Sequence, residues 1–366
     1  MKGNKEKARI AVGLSGGVDS SVAAAILLEE GHDIIGLTME IFDGSSSAPL
    51  GTKGHACYGP GERHDVERAR ALCRDLGIPF FALDLKEEYK RYVLDYFRKE
   101  YLSGRTPNPC IVCNRRLKFD FLLQRAKEAG IQLDFFATGH YAQLEKREDG
   151  VLLKKAVDSS KDQTYFLWAL DREQLSRALF PLGTMTKEEV KEKARSLGLE
   201  TADMPESQDF VEGGDYSPLF RENEIRPGDI VDKKGRVLGR HQGIIHYTIG
   251  QRRGLGISSQ RPLYVTAIDA ANNRILVGGK EEVFSPGLIA SQLNLPTLEE
   301  LREPLRVVAK IRLQHRGADA RVFPLPGGSV RVVFEEPQMS VTPGQSVVFY
   351  IEDVVLGGGI IDRALV

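Results

Sequence analysis

Cysteine is scarce in this chain, with four in 366 residues: Cys57, Cys73, Cys110 and Cys113. That is too few to staple a fold of this length with disulfides, which leaves metal binding, redox chemistry or plain burial as their uses. No run of about 18 apolar residues is present, so no helix here is suited to crossing a bilayer. The opening MKGNKEKAR leads straight into a strand without the apolar stretch of a secretory signal, and a cytoplasmic location with no membrane partner is expected. Neither a GKS/GKT phosphate loop nor a GxGxxG dinucleotide fingerprint occurs. Long-period repeats and low-complexity tracts are missing as well. So is any excess of one charge: the net value is −1, which argues against a globally basic binder of nucleic acid.

What is present is ordinary globular composition, 42% hydrophobic and 28% charged, in a chain long enough for two or three domains. Charge is uneven. Residues 86–127 carry eleven Lys/Arg against five acids, 236–261 five Arg and no acid, and 302–321 six Lys/Arg against two acids. Such stretches suit a surface that grips a polyanion at several points, or simply solvated faces. Apolar runs at 8–14, 34–37, 80–85 and 135–138 alternate with helical segments at 20–30, 61–77, 87–103 and 117–130. That order predicts an α/β class with a doubly wound parallel sheet and ligands beyond the carboxyl ends of its strands. A more helical part follows from about 160 to 205, in which Thr186 and Glu189 fit a capping box. Beyond it, turn-punctuated β-branched sequence predicts a small central β-rich domain and a C-terminal β-barrel-like domain. The expected division is 1–213, 214–285 and 286–366.

Residues 13–20, GLSGGVDS, fall between the first strand and the first helix. Gly16 and Gly17 let backbone approach phosphates, Ser15 and Ser20 offer hydroxyls, and the helix N-terminus adds unpaired N–H groups and a positive dipole end. Asp19 is out of place beside polyphosphate unless it holds a cation or a proton, so a Mg²⁺ bridge or a general-base role is expected of it. Met39, ending the second strand, is either an adenine neighbour or core. SGGxDS in this position resembles the pyrophosphatase-loop ATPases, which split ATP between its α and β phosphates and adenylate a carbonyl or carboxylate. Further on, TPNPCIVCNRRLKF (106–119) combines two prolines, a CxxC and a basic run; the thiols can serve one metal, one disulfide or one sulfur intermediate. Arg115, Arg116 and Lys118 are expected to lower the thiol pKa.

Together GLSGGVDSSV, RTPNPCIVCNRRLKF, ATGHYA, KDQTYFL, HYTIGQRRGLGI and TPGQSVVFY…LGGGII resemble, in order and over nearly the whole chain, the tRNA-specific 2-thiouridylases. The resemblance implies a pyrophosphatase-loop (adenine nucleotide α-hydrolase-like) domain, ATP and Mg²⁺ as cofactors, and tRNAs for Lys, Glu and Gln as partners. The implied reaction adenylates C2 of the wobble uridine (position 34) and replaces its oxygen with sulfur. It further implies ATP contacts from Gly13, Leu14, Ser15, Gly16, Gly17, Val18, Asp19 and Ser20 with Met39 and Gly139. Cys113 matches the first catalytic cysteine, and Asn108, Pro109 and Cys110 match the tripeptide that meets the target base. Lys161, Asp162 and Gln163 match a tRNA-contacting patch, and Arg312 a C-terminal contact. Arg252 and Arg253 are read from their own chemistry as phosphate forks.

One departure matters. The family's second cysteine, the persulfide carrier, follows a Ser-Gln-Asp-like segment, and here Val211 holds that place in Glu206–Glu212. With Cys110 standing where many members have aspartate, the expectation is a [4Fe–4S] cluster on Cys57, Cys110 and Cys113, fed by free sulfide or a sulfur-carrier protein. The competing readings are a zinc site and a Cys113 persulfide resolved by Cys110. Cys73 reads as a buried small hydrophobe, His140 as a base or phosphate contact, and His246 as shaping an RNA-facing loop. Two rival functions stand beside thiolation: an RNA-independent adenylating ligase or amidotransferase, and a catalytically silent tRNA-binding relative.

Overall fold

The computed structural model describes residues 7–44, 56–203, 209–211, 215–297 and 301–366. The chain divides into two compact units, one of residues 1–92, 110–215 and 353–355, the other of 93–109, 216–352 and 356–366.

In the first unit the strands run, in chain order, β1 (Arg9–Gly13), β2 (Asp33–Glu40), β3 (Ala56–Tyr58), β4 (Phe80–Asp84), β5 (Phe135–Thr138), β6 (Gln143–Arg147), β7 (Gly150–Lys154), β8 (Ala178–Leu179) and β9 (Asp209–Val211). Five of them make a sheet in the order β4-β2-β1-β5-β8, every pairing parallel. Ile10, Ala11 and Val12 are at most 1% exposed, as a strand covered on both faces must be. Because the chain winds outward from β1 in both directions, the carboxyl end of β1 is the switch point, with Gly13 in register with Leu37 on one side and Thr138 on the other. Helix α1 (Val18–Glu29) leaves that point, and its alanine-rich sequence is buried on most of its surface. Helix α2 (Glu62–Leu76) is amphipathic; Ala69, Leu72 and Cys73 join Ile10, Val12 and Ile34 in one core cluster. It stops at Gly77, which takes φ 67°. The helix Lys187–Ser196 opens on the Thr186/Glu189 capping box expected from the sequence and shares Val190 and Ala194 with Val18, Val22 and Ala23 of α1 in a second cluster.

The second unit holds two β assemblies. Strands β10 (Gly228–Val231), β11 (Val237–His241), β12 (Tyr264–Asp269) and β13 (Arg274–Gly278) form a sheet in the order β11-β10-β13-β12. Strands β14 (Phe284–Asn294), β15 (Leu305–Lys310), β16 (Ala318–Leu325), β17 (Ser329–Met339), β18 (Ser346–Ile351) and β19 (Val354–Ala364) follow the order β14-β17-β16-β15-β18-β19, and a β14–β19 pairing closes the barrel. Closure leaves no unpaired edge within it. Its interior is Leu288, Val307, Val322, Val332, Phe334, Phe349 and Ile361 with their neighbours. The expected class, an α/β parallel-sheet domain followed by β-rich and barrel domains, is what the chain forms.

Two local expectations change. The helix expected at 117–130 begins at Pro109, where proline's missing N–H costs nothing, and Cys113–Phe121 is π-helical. The CxxC is therefore helical, with Cys110 and Cys113 three residues apart on one face. The β6–β7 hairpin had no counterpart in the sequence reading.

Candidate nucleotide and thiol site

The loop after β1 is fixed from four directions. Leu14 donates its N–H to the Leu37 carbonyl at 2.8 Å and accepts the buried Thr38 hydroxyl at 2.8 Å. The Ser20 hydroxyl accepts the Ser15 N–H at 3.2 Å and donates to the Gly17 carbonyl at 3.2 Å. Arg68 of α2 donates its Nε to the Gly16 carbonyl at 3.3 Å while paired with Asp65. Gly16 has φ +73°, and a Cβ there would stand 2.6 Å from the Asp65 carbonyl oxygen, so only glycine fits. Gly139, at the end of β5, packs its backbone on α1; a Cβ would lie 2.6 Å from the Ser20 nitrogen. Gly17 caps α1 in extended conformation and gives it no side-chain hydrogen bond. The arrangement is a cradle of backbone N–H groups at a helix N-terminus, suited to phosphate. Met39 is partly exposed at the carboxyl end of β2. That end is tied down by Glu62, which accepts the Ile41 and Phe42 N–H groups at 2.7 and 3.1 Å and whose pKa is raised by burial.

Asp19 has partners that the sequence reading missed. Lys187 Nζ lies 2.7 and 2.9 Å from its two oxygens, and the Tyr141 hydroxyl donates to Oδ1 at 2.8 Å. Lys187 is 5% exposed. The carboxylate expected to bridge Mg²⁺ or act as a base is thus already neutralised by a side chain 168 residues away in sequence, and nothing local could have signalled it.

The thiols gather around a buried aromatic pair. Tyr58 stacks on Tyr89 at 5.3 Å and 12°. Burial drives the Tyr89 phenol well above its usual range, and the nearby thiols of Cys113, Cys57 and Cys110 push the same way. Cys57 is exposed, while Cys110 and Cys113 are partly covered. The expected lowering of the Cys113 pKa does not occur: burial raises it to about 11 against the opposing charge of Lys118. Arg115 is exposed, and Arg116 is spent on Asp120 at 3.2 Å and on the faces of Tyr92 and Phe121. For the two arginines, sequence adjacency did not become electrostatic adjacency. Among the described residues no group of three or more His, Cys, Asp or Glu side chains is placed to hold a metal ion. The three-cysteine cradle expected for a cluster is therefore not formed by Cys57, Cys110 and Cys113 as they stand, nor is a zinc site. Val211 is described and buried, in register with Tyr58 across β3 and β9; residues 204–208 and 212–214 lie outside the described residues.

Cys73 is core, 1% exposed, its thiol pushed up to about 11 by burial. His140 is held well below its usual pKa by burial and by Lys118, with Nδ1 2.7 Å from the Thr138 hydroxyl; it is a neutral imidazole at physiological pH. Of the patch at 161–163, Gln163 accepts the Tyr141 N–H at 2.9 Å and Asp162 accepts the Ala156 N–H at 3.2 Å and the Thr164 hydroxyl, so both shape the loop they occupy. In the second unit, the turn before Asn108 and Pro109 is pinned by Gln345, whose amide donates to the carbonyls of Thr106 and Pro107 at 3.0 and 3.3 Å. Arg252, Arg253 and His246 are exposed there. Arg312 donates to the Met339 carbonyl at 3.0 Å.

Three family models match in sequence: the tRNA methyl transferase HUP domain over residues 8–212, the tRNA methyl transferase PRC-barrel domain over 219–279, and the aminomethyltransferase beta-barrel domain over 285–361. Among curated relatives, the tRNA-specific 2-thiouridylase MnmA of Acetivibrio thermocellus is 50% identical over 97% of this chain and 99% of its own. That of Geobacter metallireducens is 48% identical over 99% and 98%. That of Clostridium perfringens is 44% identical over 98% and 99%.

Proposed function

The chain belongs to the family of tRNA-specific 2-thiouridylases, and from that premise we propose that it adenylates the C2 oxygen of the wobble uridine of tRNA and replaces it with sulfur. The observation that carries the reading is the open N-terminus of α1, cradled at the β1 switch point by Gly16, Ser15 and Ser20, in the same unit as a helical pair of thiols. Backbone N–H groups from Gly13 to Ser20, with Met39 and Gly139, hold ATP, and Mg²⁺ accompanies the nucleotide. No proton or metal step is assigned to Asp19, since Lys187 and Tyr141 occupy it. The uridine O2 attacks the α-phosphorus, the bond to pyrophosphate breaks, and C2 carries AMP as its leaving group. The uridine must leave its stack to present C2.

For sulfur delivery the thiol route fits the site better than a cluster, whose ligand set the three cysteines do not form. A persulfide on Cys113, loaded by a protein-bound persulfide, attacks C2 and expels AMP. The Cys110 thiolate then attacks Cys113 Sγ, the S–S bond breaks with its electrons on the sulfur now at C2, and a Cys110–Cys113 disulfide is left for an external thiol to reduce. Asn108, Pro109 and Cys110 meet the base; Lys161, Asp162, Gln163, Arg252, Arg253 and Arg312 serve tRNA; Lys, Glu and Gln isoacceptors are the substrates. Residues 1–213 do the chemistry, 214–285 and 286–366 hold the tRNA, and the cytoplasm is its place.

The test incubates the protein with ATP, a persulfide donor and tRNA transcripts, and follows AMP release and 2-thiouridine by nucleoside mass spectrometry. AMP release that requires tRNA, with thiolation at position 34, supports the reading. AMP release without RNA overturns it in favour of a small-molecule adenylating ligase. About four irons and matching acid-labile sulfide per chain in oxygen-free protein, lost on Cys57→Ala, would restore the cluster.

A further inference from the structure

We propose that Lys187 is a positioning residue of the nucleotide loop: a built-in counter-cation whose sole task toward ATP is to cancel the charge of Asp19. The inference rests on the reading of this loop as the ATP site. Asp19 is the second residue of α1, beside the N–H groups on which polyphosphate would settle. An unbalanced carboxylate there opposes the very field that the helix end supplies.

The structure balances it from outside the loop. Both Asp19 oxygens lie within 2.9 Å of Lys187 Nζ, and Tyr141 donates to one of them. The ammonium cannot wander. Lys187 as a residue is 5% exposed, with Nζ 5.7 Å from the Tyr141 ring centre. Its own backbone N–H donates to Asp158 at 3.0 Å, its helix begins one residue earlier at the Thr186 capping box, and that helix packs on α1 through Val190 and Ala194. A buried ammonium within 2.9 Å of both oxygens of Asp19 is placed as a counter-charge to that carboxylate. Asp19 in turn secures the loop to the Lys187 helix, while the pair as a whole stays neutral toward the nucleotide.

The test is a charge-balance cycle on the full chain: wild type, Lys187→Met, Asp19→Asn and the double variant. Affinity is measured by calorimetry for an ATP analogue bridged by methylene between its α and β phosphates, with and without magnesium, after thermal melting shows each protein folded. Lys187→Met should weaken binding roughly tenfold or more, because it strands an anion beside the phosphates. Asp19→Asn should bind more tightly than Lys187→Met, and the double variant should recover most of the affinity that Lys187→Met loses. A double variant as weak as Lys187→Met overturns the proposal, since Lys187 would then act on nucleotide directly. So does an Asp19→Asn protein that loses affinity only in magnesium, because Asp19 would then hold the metal. Should Lys187→Met not fold, the double variant is compared with Asp19→Asn: equal affinity supports the proposal, and a weaker double variant overturns it. If wild type itself binds no analogue, it is the ATP reading of the loop that fails.

Discussion

The phosphate loop and the thiol helix, both in the first unit, meet the same problem of a charge set beside chemistry, and they resolve it in opposite ways. At the loop, the awkward Asp19 carboxylate is compensated by a lysine from far along the chain. At the helix, the cations that neighbour Cys113 in sequence are mostly turned away, and burial prevails, raising the thiol to about 11. The lesson is that charge acts through space and face, not through sequence distance. On a helix, residues two and three positions beyond a cysteine do not share its face equally, and an arginine with an acid and two rings to hold has little left to offer.

The strongest way to break the loop side of that contrast is Gly16→Ala. A Cβ 2.6 Å from the Asp65 carbonyl, on a backbone at φ +73°, must push α2 and the loop apart. We expect tRNA-dependent AMP formation to fall about 100-fold or more, as an ångström of misplacement does, with stability down about 1–3 kcal/mol. Steady-state kinetics and a melt check both; near-normal turnover would show that the loop does not hold the nucleotide.

Burial, the force that governs the thiol side, can be isolated at Cys73. Its thiol keeps its proton to about 11, whereas the unfolded chain releases it near the ordinary thiol value of 9.0. Above pH 9 the unfolded state therefore binds fewer protons than the folded one, and stability falls with rising pH through that window, by roughly 2–3 kcal/mol for this group. Denaturant titrations at pH 8, 9, 10 and 11 should show a shallower decline in Cys73→Ala than in wild type, whatever its absolute stability. Parallel slopes would mean that the thiol ionises freely in the fold.

The sheet and the phosphate loop were legible because their signals are local: apolar runs of strand length, and SGGVDS between a strand and a helix. The capping box at Thr186 and Glu189 was legible for the same reason. What escaped notice has its cause at long range. Lys187 follows that capping residue and reads as one more lysine on a charged helix, until the packing of its helix on α1 aims it at Asp19. Tyr89, stacked on Tyr58 beside three thiols, sits in KEEYKRY with nothing to distinguish it from its neighbours. The β6–β7 hairpin hides because QLEKR has no apolar alternation. The helical start at Pro109 hides because two prolines read as loop until the first turn places one of them where its missing N–H is harmless.

A smaller effect is expected at the cap. Thr186→Ala removes the acceptor for the Glu189 N–H at 3.3 Å and should cost about 1 kcal/mol in denaturant unfolding. It should weaken ATP far less than Lys187→Met, because the packing of Val190 and Ala194 still holds the helix on α1. A Thr186→Ala protein as impaired toward nucleotide as Lys187→Met would place the control of Lys187 at the cap and not in the packing.

The finest test compares the cations themselves. With its pKa near 11, Cys113 is thiolate in only about one molecule in ten thousand at pH 7, and its alkylation, followed by peptide mass spectrometry, should rise about tenfold per pH unit up to pH 10. Among the described residues Lys118 is the cation whose charge opposes that rise, so Lys118→Met should slow alkylation a few-fold at fixed pH. Arg115→Ala and Arg116→Ala should change it by less than about twofold, since one side chain points to solvent and the other is held by Asp120. If the arginine variants slow the reaction as much as Lys118→Met, the helix presents its basic run to the thiol after all. The two regions would then answer to the same rule, with charge supplied from nearby.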